Sequence, residues 1–429
     1  MTKAIRSILS IPLHWQILAA LILGGLYGFL LPGEAGYITW AGDLFLRALR
    51  MIVAPLILCS IISGVAGLKQ SLGADSEKGE HSSGATSVLG RLGLKTLGYY
   101  GLTSLLAITT GLVLVNLIRP GDGMEPPEIL DSSIEVKPLS QTLLEIIPRN
   151  LFQALMQDDM LGIIFFAFLA GAAILRMEKE NGDTLIRFFQ SAFELMMRIT
   201  DWIVRFAPLG ILGIVAGVVS EKYLEGNLMQ SIQSVGTYMA VVIIALFVHA
   251  FVSLFAILRF YGGFNPLRHL KAMGSALLMA FSTSSSSATL PLTMDCCEKQ
   301  GGISNRTTSF VLPLGATVNM DGTALYECVA TLFIAQAYGI ELGVAEQLIV
   351  VFTALLASVG AAGIPMAGLV TITIILSAVG LPAEAVGLII TVDRILDMFR
   401  TAVNVWSDSC GAAVIARSEG EAIYGTSGA

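Results

Sequence analysis

The sequence predicts an all-α membrane protein of eight transmembrane helices plus two re-entrant helical hairpins. Three observations predict it. The 429 residues are 55% hydrophobic and 13% charged, with a mean hydropathy of +0.76, and that charge fraction is about half of a soluble domain's. Apolar segments recur near 15–32, 40–68, 94–118, 143–175, 185–220 and 232–260, six plain spans in order. From about 267 the apolar sequence continues to about 417 but is twice broken halfway, once by serines and once by glycines.

The chain begins with Lys3 and Arg6 ahead of the apolar run Ile17 to Leu31. That start imitates a secretory signal, but the run is long and the following Gly-Glu-Ala-Gly-Tyr is a poor cleavage site, so it reads as the first span. Gln70 to Ser87, with Asp75, Glu77, Lys78, Glu80 and His81, reads as an aqueous loop, and the proline-containing, mainly acidic loop 120–140 belongs on the opposite side. Lys69, Lys78, Arg91, Lys95, Arg176, Lys179, Arg259, Arg268 and Lys271 flank alternate ends of the spans. The positive-inside rule then places both termini in the cytoplasm of a multi-pass cell-membrane protein, inner or plasma membrane. Arg198 and Arg205, inside the fifth segment, fit this less cleanly.

A net charge of -7 without any Lys/Arg cluster excludes a nucleic-acid partner. Cys59, Cys328 and Cys410 lie in apolar stretches, and Cys296 with Cys297 lack the spaced partners of a zinc site, so neither a disulfide framework nor a metal-thiolate centre is expected.

Ser282 to Ser287 and Gly360-Ala361-Ala362-Gly363-Ile364-Pro365 interrupt the later apolar runs, leaving limbs of roughly a dozen residues. At about 1.5 Å per residue such a limb covers under 20 Å of a ~30 Å core, so each pair of limbs should enter and leave on one side. Non-helical backbone at that depth implies a water-filled cavity or a ligand. Ala276-Leu277-Leu278-Met279-Ala280 and Ala354-Leu355-Leu356-Ala357 open the two hairpins alike, and a polar-centred span follows each. The unit hairpin-plus-helix is thus used twice, in the manner of transporter inverted repeats.

The first of those spans carries Gly315 to Glu327, in which Asn319, Thr323, Tyr326 and Glu327 share a face while Asp321 lies about 200° round from Asn319. Either two polar faces or a local unwinding near Gly315 and Gly322 is required. Unwound carbonyls beside a carboxylate supply the hard oxygens that replace a sodium ion's hydration shell. The alternative is a kinked helix with capped polar groups. Tyr100, Thr103 and Ser104 add an oxygen-bearing stripe in the third span, a pattern that ordinary helix packing also produces.

In the last span Asp393, Asp397, Arg400, Asn404 and Asp408 fall within a sector of roughly 60–80°. At about 2.5–3.5 kcal/mol for each charge at a bilayer centre, the stripe unpaired would cost on the order of 10 kcal/mol or more. Either it binds something or it is an internal salt-bridge network locking helices together; Asn404, which a lock does not need, favours binding.

Ser284-Ser285-Ser286-Ser287-Ala288-Thr289-Leu290-Pro291, Asn319 to Tyr326, Gly360 to Gly368 and Asp397-Met398-Phe399-Arg400-Thr401-Ala402-Val403-Asn404 together resemble the glutamate/aspartate transporter family, the dicarboxylate/amino acid:cation symporters. The resemblance runs over nearly the whole chain. It implies a homotrimer in the lipid bilayer, with residues 1–93 (spans one and two and the cytoplasmic loop) and 120–220 (spans four and five) as scaffold. Residues 94–119 (span three) and 221–429 (span six, first hairpin, span seven, second hairpin, span eight) would form a transport domain moving as an elevator.

It further implies an acidic amino acid substrate. Asp397 would hold its ammonium and Arg400 its side-chain carboxylate through the planar fork. Asn404, Thr401, Ser285, Ser286, Ile364 and Gly368 would hold the remaining groups, with Thr323 against the side chain. Co-transported sodium ions would sit at Asp321 with Asn319, Tyr100, Thr103 and Ser104; at Asp408 with carbonyls of Gly315, Asn319 and Asn404; and at backbone oxygens of Thr317, Met320 and Ser358. No organic cofactor is implied. Three positions depart from the family pattern: Trp406-Ser407 ahead of Asp408, Ser284 where archaeal aspartate carriers have arginine, for which Arg394 is a substitute charge, and Glu327. Sodium-only archaeal relatives have glutamine at the last position and proton-coupled animal carriers glutamate, so Glu327 is the expected proton carrier. A proton-coupled symporter, or one for neutral amino acids or C4-dicarboxylates, is the alternative within the same fold.

Two rivals come from other classes. An intramembrane protease lacks a histidine near the serine string, since His14, His81, His249 and His269 lie in other segments, and Arg400 one turn from Asp397 would keep an aspartic dyad ionised. An anion channel needs no sodium gradient, whereas concentrative uptake does.

Overall fold

The computed structural model describes residues 13–73, 83–124, 147–157, 160–360 and 367–424, and among these every regular element is a helix. In chain order they are α1 Leu13–Leu30, α2 Gly36–Gly73, α3 Ser83–Ile118, α4 Leu151–Met156, α5 Met160–Leu175, α6 Lys179–Val204, α7 Ala207–Leu224, α8 Leu228–Val248, α9 Leu254–Phe260, α10 Pro266–Thr283, α11 Ser286–Lys299, α12 Asn305–Val318, α13 Asp321–Ala337, α14 Val344–Gly360, α15 Ala367–Ala378 and α16 Ile390–Ser418. Gly36–Ala66, Arg91–Ile118, Ala207–Leu224 and Leu228–Phe260 are long and apolar enough to cross a membrane, and Trp15–Leu30, Gly162–Leu175 and Val344–Ser358 are shorter apolar helices.

The helices pack in two groups. α1, α2, α5, α6 and α7 lie chiefly on one another, while α3 and α8 to α16 form the second group, with α13 and α16 at its centre. Asp321 to Ala335 is buried without a gap, so α13 is enclosed on all sides as only a helix inside a bundle can be.

Several boundaries differ from expectation. The segment 185–220 is two helices: α6 ends at Val204, and α7 restarts at Ala207 with Pro208 in its first turn, where a missing N–H costs nothing. Arg198 lies on the charge-studded α6 and Arg205 at its end, which explains their poor fit to a single span. The aqueous loop is shorter than Gln70 to Ser87, because α2 runs to Gly73 and α3 starts at Ser83; most of loop 120–140 lies outside the described residues. The hairpin limbs are longer than a dozen residues in three of four cases: 18 and 14 for α10 and α11, 17 and 12 for α14 and α15. At about 1.5 Å per residue α10 reaches ~27 Å, so its length alone does not require re-entry. What turns the chain back is the two-residue tip, where Ser284 takes a left-handed conformation (φ 52°) and Ser285 is extended and caps α11 by accepting from Ala288 N at 3.2 Å. α14 and α15 also pack side by side, and the residues joining them, Ile364 among them, lie outside the described residues.

Candidate functional site

The chain is unwound at two residues between α12 and α13. α12 stops at Val318 and α13 starts at Asp321; between them Asn319 (φ -103°, ψ 89°) and Met320 (φ -117°, ψ 58°) leave the helical region. Of the two sequence alternatives, unwinding is the one realised. Gly315 permits it to pack closely, since a methyl group there would fall 2.5 Å from Asp408 Oδ1 and 2.6 Å from the Tyr100 hydroxyl. The break frees backbone groups at the start of α13, and Gly322 N is taken by Asn404 Oδ1 at 2.8 Å.

One polar cluster forms around that break. Asp321 Oδ1 accepts from Ser104 Oγ at 2.7 Å and Thr103 Oγ1 at 3.3 Å, and Thr103 Oγ1 also lies 3.4 Å from Asn319 Oδ1. Asp321 Oδ2 accepts from Ser407 Oγ at 2.6 Å and faces His249 Nε2 at 3.1 Å. Asn319 Nδ2 donates to Asp408 Oδ1 at 2.8 Å and Ser407 Oγ at 3.1 Å, so Asn319 joins the two sets of oxygens expected for sodium. The Tyr100 hydroxyl donates to the Val311 carbonyl at 2.8 Å and sits beside Gly315. None of these side chains is more than 3% exposed. Two carboxyl groups among hydroxyl and carbonyl oxygens, in a site of this dryness, offer the oxygen ligands that a hard monovalent cation takes. The Thr317 and Ser358 hydroxyls instead turn back on Leu314 O (3.1 Å) and Leu355 O (2.9 Å), leaving backbone oxygens as what that third set, with the buried Met320, has to offer; α12 and α14 touch there.

The second cluster lies on α16. Arg400 Nε and Nη2 are each 2.9 Å from Asp397 Oδ1, Nη1 is 3.2 Å from Asp393 Oδ1, and Tyr326 donates to that same oxygen at 2.7 Å. The guanidinium carbon stands 4.1 Å above the Tyr326 ring, a cation–π contact. Arg394 Nη1 is 3.4 Å from Asp397 Oδ2, so the expected substitute charge does reach the site. Asn404 Nδ2 donates to Thr323 Oγ1 at 3.1 Å, and Thr401 and Ser286 are buried nearby on α16 and α11. Gly368, near the start of α15, lies so close to Arg400 that a side chain there would strike the guanidinium. The first hairpin packs on α16 as well, with Phe281 edge-on to Phe399 at 5.1 Å.

Two cations and two carboxylates thus neutralise one another, which is the salt-bridge lock. The lock is incomplete: Arg400 Nη1 and Nη2 and Asp393 Oδ2 are buried without an aligned hydrogen-bond partner, and Gly368 of α15 lies against the guanidinium. An arginine fork held between carboxylates by ion pairing but left with unsaturated N–H groups is equipped to take a carboxylate.

Glu327, one residue beyond Tyr326, is fully buried and accepts a hydrogen bond from Thr371 of α15, while Oε2 has no partner. Sequence reasoning missed Thr371, and it set His249 aside as belonging to another segment. His249 is in fact beside Asp321, brought there by a π-helical turn, His249–Ser253, between α8 and α9. One extra residue in the turn shifts the face presented, which 3.6-residue periodicity cannot show. Ser407, noticed only as a departure, bridges Asn319 and Asp321.

The family model described as the sodium:dicarboxylate symporter family matches residues 13–418. The chain belongs to the sodium:dicarboxylate symporter family. Relatives of this symporter include the human excitatory amino acid transporter 3, 36% identical across 94% of this chain and 85% of its own length, and the proton/sodium-glutamate symport protein of Bacillus caldotenax, 35% identical across 96% and 95%. A putative sodium-dependent excitatory amino acid transporter of Caenorhabditis elegans, glt-4, is 35% identical across 89% and 83%. Membership makes the chain a multi-pass membrane transporter and not an enzyme.

Proposed function

We propose that this symporter carries glutamate or aspartate inward together with sodium ions and a proton. The observation that carries the reading is Arg400, fully buried, paired with Asp393 and Asp397, and touched by Gly368 of the second hairpin. An acidic amino acid presents one ammonium and two carboxylates. Asp397 takes the ammonium, the guanidinium turns to the side-chain carboxylate, and Asn404, Thr401, Thr323 and the backbone of Ser285, Ser286, Ile364 and Gly368 take the rest. A substrate without an amine would leave Asp397 with Arg394 alone, at 3.4 Å.

Sodium at Asp321 with Asn319, Tyr100, Thr103 and Ser104, at Asp408 with Gly315, Asn319 and Asn404 carbonyls, and at Thr317, Met320 and Ser358 fixes the unwound turn on which Thr323 and Gly322 depend. Cation binding therefore organises the substrate site, and substrate and ion close the second hairpin over one another. Glu327, hydrogen-bonded to Thr371 two turns from the break, carries the proton. The grouping of helices supports a scaffold of residues 1–93 and 120–220 against a moving body of 94–119 and 221–429; the family resemblance and the flanking charges add a homotrimer with cytoplasmic termini to the reading. The test is uptake of labelled glutamate and aspartate into liposomes under sodium, proton and potassium gradients imposed one at a time. Concentrative uptake driven by sodium is expected; flux indifferent to the sodium gradient, as through an anion channel, would overturn the reading.

A further inference from the structure

Beside both clusters, α8, the π-turn, α10 and α16 enclose a groove, open on one side. Its lining is apolar throughout: Phe247 and Phe251 on one wall, Leu270 and Leu277 on the second, Phe399 and Trp406 as the floor. The seven-residue separation of Leu270 and Leu277 makes it roughly 10 Å long at about 1.5 Å per residue. Gly274 lies between those leucines on the same helical face, and a side chain placed there would meet no atom within 4 Å, so the glycine leaves the groove unfilled. The bend that opens the wall is the π-turn, whose Ala250 carbonyl accepts from Trp406 Nε1 at 3.2 Å. Phe247 and Phe251 remain 48% and 42% exposed, an aromatic pair stacked at 5.5 Å with no protein over it.

Charge at the mouth identifies the occupant. α9 ends and α10 begins at the same end of the groove, and there stand Arg259 and Lys271, both exposed, with Phe260 and Tyr261 exposed beside them as at a membrane–water interface. No Asp or Glu occurs between Glu225 and Asp295, so nothing on these elements offsets the cations. Arg268 is otherwise engaged, over the Tyr424 ring at 5.0 Å. An apolar slot opening on uncompensated cations at the bilayer surface matches one chemistry, an acyl chain bearing an anionic headgroup.

We propose that this groove is a binding site for an anionic phospholipid, one acyl chain lying between α8 and α10 against Phe399 and the headgroup held by Arg259 and Lys271. The site depends on the chain being in a bilayer and not on which substrate is carried. It places a lipid against the residue preceding Arg400, on the helix that holds the substrate site.

The full-length protein in phosphatidylcholine nanodiscs, titrated with phosphatidylglycerol and read by native mass spectrometry, tests it. Phosphatidylglycerol should be retained over phosphatidylcholine, and that preference should fall about 5-fold for each cation removed in Arg259→Gln and Lys271→Gln. Gly274→Leu, which fills open space, should melt at the wild-type temperature in phosphatidylcholine and lose the retained lipid. Equal retention of the two lipids, retention unchanged in Gly274→Leu, or a second copy of the chain covering the groove would each overturn the proposal.

Discussion

His249 Nε2 stands 3.1 Å from Asp321 Oδ2, and neither side chain reaches solvent. The two residues are 72 apart in the chain, yet the contact orients the Asp321 carboxyl, with Oδ2 held by His249 and Ser407 and Oδ1 turned to Ser104 and Thr103, the hydroxyls proposed to share a sodium ion with it. Groups that hold an ion's ligand are themselves worth about 10- to 100-fold in affinity.

For that reason His249→Leu should raise the sodium concentration for half-maximal glutamate binding about tenfold or more, with substrate affinity at saturating sodium nearly unchanged. Sodium titration of substrate binding in detergent checks this. A variant with wild-type sodium dependence would show that the contact only packs the helices.

Arg400→Ala leaves Asp393 and Asp397 buried side by side without their shared cation. Breaking such a pair costs about 3–5 kcal/mol, so the variant should unfold at lower temperature and take up no acidic amino acid. Arg400→Lys keeps the charge but loses the fork and should recover stability more than uptake. Unchanged glutamate affinity in Arg400→Ala would refute the assigned role.

Glu327→Gln keeps the partner that Thr371 hydrogen-bonds but removes the proton site. Sodium-driven uptake should persist, in exchange mode at least, while its dependence on external pH flattens. Full pH dependence in the variant, measured between pH 5 and 9 (about the range of a perturbed carboxyl), would remove Glu327 from the cycle.

At the far end of α16, Glu419 receives Arg91 at 2.7 and 3.2 Å and Lys95 at 2.5 Å, and Lys95 also reaches Ser418. The hydrogen bond from Arg91 holds the Glu419 carboxyl below its ordinary value; burial opposes it and Lys95 reinforces it. A lowered value in the folded state means that the clamp contributes fully above about pH 4.3, the unfolded value, and is lost as pH falls through the folded one. Because Arg91 is solvent-exposed the effect is small and screened by salt. Melting curves of Glu419→Gln should match wild type below that range and fall slightly short of it at neutral pH and low salt; an identical shift at every pH would show that packing, not charge, is lost.

Much of the fold was legible because it follows from local chemistry. A polar stripe every three to four residues on 393–408 announces a helix facing something polar, and Gly315 with Gly322 around Asn319-Met320-Asp321 announces a break, since both depend on neighbours in the chain. The serine string at 282–287 announces the turn between α10 and α11 for the same reason, while the glycine string 360–365 lies almost wholly outside the described residues. The division of 185–220 was less legible: Pro208 marked it, but the apolar run continued through.

The sequence by itself determined an all-helical membrane protein, the unwound turn at Asn319 and the set of polar side chains that had to find partners, because hydrophobic periodicity and backbone preference act over a few residues. Only the tertiary structure decided which partners they found. It tied Arg400 to Asp393 and Asp397 beneath Gly368, swung His249 to Asp321 by one π-helical turn, and laid Thr371 on Glu327. Apart from the pairing of Arg400 with Asp393 and Asp397 along α16 itself, those contacts join different elements, and in a medium without water an unpaired buried charge costs enough that packing, not local preference, selects its partner.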